Sequence, residues 1–230
     1  MLTLKRLCIL LIALVICIPN AQARKKKPKS GKIENLVYTD SKYNFQLTLL
    51  DNWKARLKKL DDNYRLVLIQ ENYQIPPDYA DSPDYTLVPR LTIYVAETNV
   101  SPFELLDSLL SVSYSSDLKK DIIKEFEILN NQSIGEGERE NVITRKRKSY
   151  RIDDIKGVLW QGKVKYVNKV IQSASTGSGK RIYGAYMGGV VILQIEKNRL
   201  LLFHVISEDQ YFPMIWTEAM KVVGSFKKTE

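Results

Sequence analysis

Residues 180–228 read KRIYGAYMGGVVILQIEKNRLLLFHVISEDQYFPMIWTEAMKVVGSFKK, and this stretch decides the fold. Residues 181–195 are rich in Tyr, Val and Ile, which suit a pleated, half-buried surface. Four polar residues, Glu196, Lys197, Asn198 and Arg199, interrupt them and predict a hairpin turn, with Asn supplying the left-handed backbone angle. Residues 200–206 (LLLFHVI) form an unbroken apolar run of strand length, as expected for a strand covered on both faces. Beyond Ser207, Glu208 and Asp209, the residues Phe212, Ile215, Trp216, Ala219, Met220 and Val223 recur at helical spacing and predict one wide apolar face. Pro213 fits the first turn, where the backbone N–H groups have no partner within the helix. Gly224 is expected to end the helix, and Ser225-Phe226 to close the chain against the core.

At its other end the chain opens with a targeting pattern. Lys5-Arg6 precedes twelve apolar residues, Pro19 breaks the run, and Ala21-Gln22-Ala23 is a small-x-small cleavage site. The run is shorter than the roughly 20 residues that a spanning helix needs. Residues 1–23 therefore read as a signal peptide, leaving no transmembrane segment after cleavage and an exported protein of the periplasm, envelope or exterior. The positive flank Arg24-Lys25-Lys26-Lys27 opposes translocation, so an uncleaved anchor is the alternative. Both cysteines, Cys8 and Cys17, fall in this segment, so the remainder has no disulfide and relies on its core.

Charge is uneven. The chain holds 35 Lys and Arg against 26 Asp and Glu. Residues 24–32 (RKKKPKSGK) contribute Arg24, Lys25, Lys26, Lys27, Lys29 and Lys32, and the body beyond them is nearly neutral, so the high pI reads as the property of a tail. Residues 24–35 are accordingly expected to form a disordered basic tail and residues 36–230 a single domain; residues 24–32 read either as a solvated linker left by signal cleavage or as a segment that adheres to an anionic surface.

Within that domain, strands are expected at 36–39, 43–50, 55–60, 64–70 and 90–96, with Phe45, Leu47 and Leu49 facing one way by alternation. Residues 71–88 form a long insertion carrying Tyr73, Asp78, Tyr79, Asp81, Asp84 and Tyr85, a candidate partner-binding or ligand-covering loop. Its acidic spacing lacks the glycine turn and terminal Glu of an EF-hand, so no metal is assigned. Ser101-Pro102-Phe103-Glu104 is a capping box, and Phe103, Leu106 and Leu110 are expected to line the buried face of the helix that it starts. A second helix is expected over 118–129, a polar loop over 130–141 and strands over 142–170. Arg145, Lys146, Arg147 and Lys148 form a second candidate anionic-surface patch. Without interleaved stacking aromatics it does not read as a nucleic-acid site. Residues 173–180 read as a Gly/Ser loop.

No catalytic constellation stands out. Thr176-Gly177-Ser178-Gly179-Lys180 lacks both the upstream Gly and the following Ser or Thr of a phosphate loop. His204, the chain's one histidine, sits in an apolar strand and reads as a hydrogen-bonded core residue. With one His and no Cys beyond the leader, the usual zinc sites cannot form. No cofactor is expected.

The order of motifs resembles PsbP-like proteins. Tyr43-Asn44-Phe45 with Leu47, Leu49 and Trp53 is similar to their opening, Ser101–Glu104 to their first helix, and Tyr183–Tyr186 with the ending Val222–Lys227 to their C-terminal third. The proline usual before the Trp is absent here. The resemblance implies an α+β fold, an antiparallel sheet flanked by helices on both faces in an α/β/α sandwich. It also implies accessory or binding roles of the kind found in that superfamily, which includes DcrB-like envelope proteins. The expected function is a non-enzymatic binding protein of the envelope, whose partner is an envelope protein or an anionic surface and not nucleic acid. A small-molecule or ion-binding protein with its pocket under the 71–88 loop is the alternative, and a carboxylate-based hydrolase a weaker one.

Overall fold

The computed structural model describes residues 27–70, 88–110, 143–172, 179–208 and 210–229; within these, the side chains of 110, 143–146, 163–172 and 179–186 are not described. The chain is mostly antiparallel sheet, with two helices among the described residues.

A small sheet has the order β1-β2-β3-β11, built from β1 (Gly31–Glu34), β2 (Val37–Asp40), β3 (Phe45–Thr48) and β11 (Lys227–Lys228). A large seven-stranded sheet has the order β4-β5-β6-β10-β9-β8-β7. Its strands are β4 (Trp53–Leu57), β5 (Tyr64–Gln70), β6 (Arg90–Glu97), β7 (Ile143–Ile152), β8 (Ile155–Gln172), β9 (Gly179–Glu196) and β10 (Arg199–Glu208). The helices are α1 (Pro102–Leu110) and α2 (Phe212–Gly224).

β10 is the central strand and is buried from Leu200 to Glu208, as its unbroken apolar run requires. Its alternate residues join two cores. Leu201, Phe203 and Val205 pack with Phe212, Ile215, Ala219, Val222 and Val223 of α2 and with Tyr38, Phe45 and Leu47 of the small sheet. Leu200, Leu202 and Ile206 pack with Trp160 of β8 and with Leu105, Leu106 and Leu109 of α1. The C-terminus is tied in after α2: Phe226 is buried, the Ser225 backbone N–H caps the helix on Lys221 O and Val222 O, and β11 pairs with β3.

Four expectations are corrected. The basic tail was expected to be disordered through residue 35, but 31–34 form β1 and Ser30 is fully buried, because Ser30 serves a polar centre described below. The 196–199 turn shortens to Lys197-Asn198, and Asn198 is not among the residues of positive φ; a register shift at Arg199/Leu200 absorbs the turn instead. The buried face of α1 is Leu105, Leu106 and Leu109, while Phe103 is exposed. The side chain of Leu110 lies outside the description, as do the expected helix over 118–129 and loop over 130–141. Gly179-Lys180, read as loop, begin β9.

The capping box forms as expected. Ser101 N–H donates to Glu104 at 2.7 Å and Glu104 N–H donates to Ser101 Oγ at 3.3 Å. These bonds hold the Glu104 carboxyl below its ordinary range.

Candidate functional site

Arg65 is a charged residue inside an apolar strand, and it organises the polar centre of the molecule. Its side chain is fully buried, as is that of Asp40, and the two meet at 2.7 Å from Nε to Oδ2. Nη2 also donates to Asp40 Oδ1 at 3.1 Å and to Ser30 O at 3.0 Å. Nη1 donates to Leu60 O at 2.8 Å and Asp62 O at 2.6 Å. A guanidinium has five N–H donors, and all five are used. Asp40 accepts further bonds from Tyr38 Oη at 2.6 Å and from the backbone N–H of Lys42 and Tyr43 at 2.8 and 2.9 Å. Ser30 Oγ donates to Arg65 O. Burial, then the neighbouring Asp40 charge, push the Tyr38 phenol far above its ordinary value, so it stays a neutral donor.

The centre lies between β2 of the small sheet and β5 of the large one. The turn at 41–44 has Asn44 at positive φ and lays the Tyr43 ring beside the cations. Arg65 Cζ is 4.9 Å from the ring centroid, Lys42 Nζ 4.7 Å and Arg199 Cζ 5.5 Å. Tyr43 Oη donates to Glu97 Oε1 at 2.9 Å, Lys42 Nζ meets the same oxygen at 3.2 Å, and Arg199 pairs with Glu196 at 2.8 Å. The group is charge-balanced and locked. It joins two sheets, and at its centre the Arg65 guanidinium has no donor left over.

The opposite end of the large sheet is built differently. Gly162 of β8 pairs with Gly188 of β9, next to Gly189. A Cβ on Gly189 would meet the Trp216 ring at 2.1 Å, and one on Gly162 would meet the Trp160 ring at 2.2 Å. Two indoles thus occupy the space the glycines leave. Trp216 also stacks on Phe212 at 5.6 Å between centroids. Trp53 donates from Nε1 to Glu218 at 2.7 Å, which pins α2 to β4. Trp53 and Trp160 are buried and Trp216 half-buried, in keeping with core roles.

His204 lies opposite Thr92 and Val190 and is fully buried. Burial first, and the Arg90 charge second, pull its pKa down to about 3, so the imidazole is neutral.

Of the expected site residues, the structure brings few together. Tyr73, Asp78, Tyr79, Asp81, Asp84 and Tyr85 lie outside the described residues, as do Ala21, Ala23, Arg24, Lys25 and Lys26. Lys27, Lys29 and Lys32 are exposed; Lys32 pairs with Glu34 at 3.2 Å and Lys29 bridges to Lys59. Arg147 and Lys148 are exposed on β7, and Arg147 reaches Asp107 of α1 at 2.5 Å. Arg145 and Lys146 belong to the same strand, and their side chains are not described. No group of three or more metal-ligating side chains occurs among the described residues, and no helix there is long and apolar enough to cross a membrane.

Sequence reasoning missed Ser30, Tyr38, Asp40 and Arg65. The available signal was an arginine one residue inside the apolar strand 64–70.

No protein-family model and no curated protein matches the chain. Solved structures do. One is the cyanobacterial PsbP of Synechocystis sp. PCC 6803, 12% identical with a TM-score of 0.41, covering 84% of this chain and 91% of that one. Another is LpqN, involved in cell envelope biogenesis of Mycobacterium tuberculosis, 8% identical at 0.43, covering 81% and 83%. A protein of Bacteroides thetaiotaomicron VPI-5482 is 10% identical at 0.36, covering 81% of this chain and 45% of its own.

Proposed function

We propose that the chain is an exported, non-enzymatic accessory protein of the cell envelope that acts by binding a partner. The export reading comes from residues 1–23, and the α/β/α sandwich belongs to the same reading. The membership of α1 and α2 in separate cores supports it. The observation that carries the binding reading is the fate of the chain's polar chemistry. His204, its one imidazole, is sealed in the central strand and neutral, and Asp40, Arg65 and Tyr38 are consumed in the joint between the sheets.

Affinity capture of the mature protein from its own envelope fraction tests this, at low and high salt and beside a variant lacking residues 24–32. A specific partner that survives high salt and tail removal supports an accessory protein docked through its folded domain. Capture that vanishes with either treatment reduces the chain to an adsorbed surface protein. Turnover of any envelope substrate by the purified protein would overturn the non-enzymatic reading.

A further inference from the structure

The near-neutral charge of the domain hides a division. Residues 142–187 hold eleven Lys and Arg against Asp153 and Asp154 alone, whereas the rest of the chain from residue 33 holds sixteen against twenty-four. The basic part is β7, β8 and the first half of β9.

The topology gives that part a distinct shape. β8 and β9 are 18 residues each and pair from Gly157↔Leu193 to Gln172↔Gly179. β7 joins β8 only up to Ile143↔Lys163, and β10 joins β9 only up to Glu208↔Tyr186. Among the described residues, 164–172 and 179–185 therefore pair only with each other. They form a two-stranded ribbon about 30 Å long at ~3.3 Å per residue. A two-stranded hairpin alone is marginal in water. Residues 163–187 contain no carboxylate, and Lys163, Lys165, Lys169, Lys180 and Arg181 give them five positive charges.

The two edges differ. β8 is interrupted by a register shift between Val167 and Lys169, and a bulge blunts an edge. β9 runs unbroken from Gly179 to Ala185, beyond Tyr186, the last of its residues that β10 pairs with. The edge carries Lys180 and Arg181, and β8 beside it Lys165 and Lys169, so the ribbon repels a second copy of itself and attracts an acidic strand.

We propose that the 179–185 edge of β9 is a docking site for an acidic, extended polypeptide segment of a partner, which adds as a strand in line with β10. Main-chain bonds supply the ladder and the ribbon's lysines and arginine the charge selection. The proposal rests on the partner-binding reading above and names the surface and the chemistry of the partner.

The test uses the mature full-length protein and a synthetic octapeptide of alternating Glu and Val, beside the same peptide with proline at alternate positions. Calorimetry reads affinity, and amide hydrogen exchange reads residues 179–185. The expected result is binding of the Glu/Val peptide with about tenfold or greater slowing of exchange at those amides. The proline peptide should bind about tenfold or more weakly, since it cannot complete a ladder. The variant K165Q/K169Q/R181Q should lose about tenfold in affinity with an unchanged melting temperature, and removal of residues 24–32 should change nothing. Equal binding of both peptides, or protection elsewhere, overturns strand addition. Binding of phosphatidylglycerol vesicles without binding of the peptide overturns the polypeptide partner. If the capture experiment yields a partner but the ribbon variant still binds it, this proposal falls and the accessory reading stands.

Discussion

The two ends of the large sheet answer the same problem in opposite ways. At one end, where β5 and β10 begin, Arg65 and Asp40 are removed from water and every guanidinium donor has an acceptor. Around Tyr43, positive and negative side chains alternate and cancel. At the other end, where β5 and β10 finish, the sheet thins to glycines under two indoles and continues as a ribbon with five cations and no carboxylate. A closed, balanced network resists change and holds the fold. An unbalanced ribbon, paired among the described residues only within itself, is where the proposed strand addition would be tested. The closed network and the cationic ribbon are thus placed some seven strand-residues apart, a distance of about 25 Å along β10.

That contrast breaks first at Asp40. Asp40→Ala leaves the Arg65 guanidinium buried without its counter-charge, and removing one partner of a buried pair costs about 3–5 kcal/mol. Urea denaturation should show a loss of this size. The double variant Asp40→Leu/Arg65→Met should recover only part of it, because both charges then stay out of the core while Tyr38 Oη and the Ser30, Leu60 and Asp62 carbonyls lose their partners. A single-variant loss below about 1 kcal/mol would remove the claim that this end holds the molecule together. Ribbon variants such as Lys165→Gln should move the denaturation midpoint little, since residues 163–187 hold no carboxylate whose ion pair would be lost.

His204 sharpens the comparison, because it sits in the central strand between the two ends. Its folded pKa of about 3 lies below the ordinary histidine value of about 6.5. The unfolded chain therefore binds a proton that the folded chain refuses. This stability is fully present above pH ~6.5 and is lost as pH falls from there toward 3. At pH 5 the loss is about 2 kcal/mol, taking 1.36 kcal/mol per pH unit. Between pH 7 and 5 the midpoint of wild type should fall, and that of His204→Leu should fall measurably less. Parallel pH profiles for the two proteins would show that the imidazole is solvated.

Gly189→Ala tests the ribbon's base. The new methyl would lie 2.1 Å from the Trp216 ring, so the indole must move, and overpacking of this kind costs about 1–3 kcal/mol. A shift in Trp fluorescence should accompany the loss. Unchanged fluorescence would mean that Trp216 does not lie on the glycine.

Much of the fold could be read in the chain because it is locally encoded. The run 200–206 announced a strand buried on both faces, the spacing of Phe212 to Val223 announced α2, and Ser101 with Glu104 announced the start of α1. The polar centre could not be read in this way. Ser30, Asp40 and Arg65 are 10 and 25 residues apart in sequence, and only the docking of the small sheet on the large one brings them together. β1 is hidden from the sequence for the same reason: a basic, apolar-poor segment becomes a strand when its neighbour Ser30 supplies a carbonyl to a buried guanidinium. The ribbon is not legible in the domain's near-neutral net charge, and its extent depends on where β7 and β10 stop.

The smallest effect concerns the hairpin that carries the closed end. β1 and β2 are joined by Asn35 and Leu36, with φ of 49° and 62°. Both angles suit a type I′ turn, which favours Asn followed by Gly. Leu36 instead carries a branched side chain in the left-handed region and exposes 45% of its surface, so it contributes little packing to offset the backbone penalty. Leu36→Gly should therefore stabilise the protein, by at most about 1 kcal/mol, since glycine relieves the left-handed penalty of about 1–2 kcal/mol and adds entropy to the unfolded chain. Denaturation should show the midpoint rising without a change in slope. Because the hairpin aligns Ser30 and Asp40 on Arg65, the gain should shrink or vanish in an Asp40→Ala background, where the hairpin no longer docks on a buried partner. A full gain in that background would mean that hairpin and polar centre act independently, and the closed end would then be two local structures side by side instead of one cooperative joint.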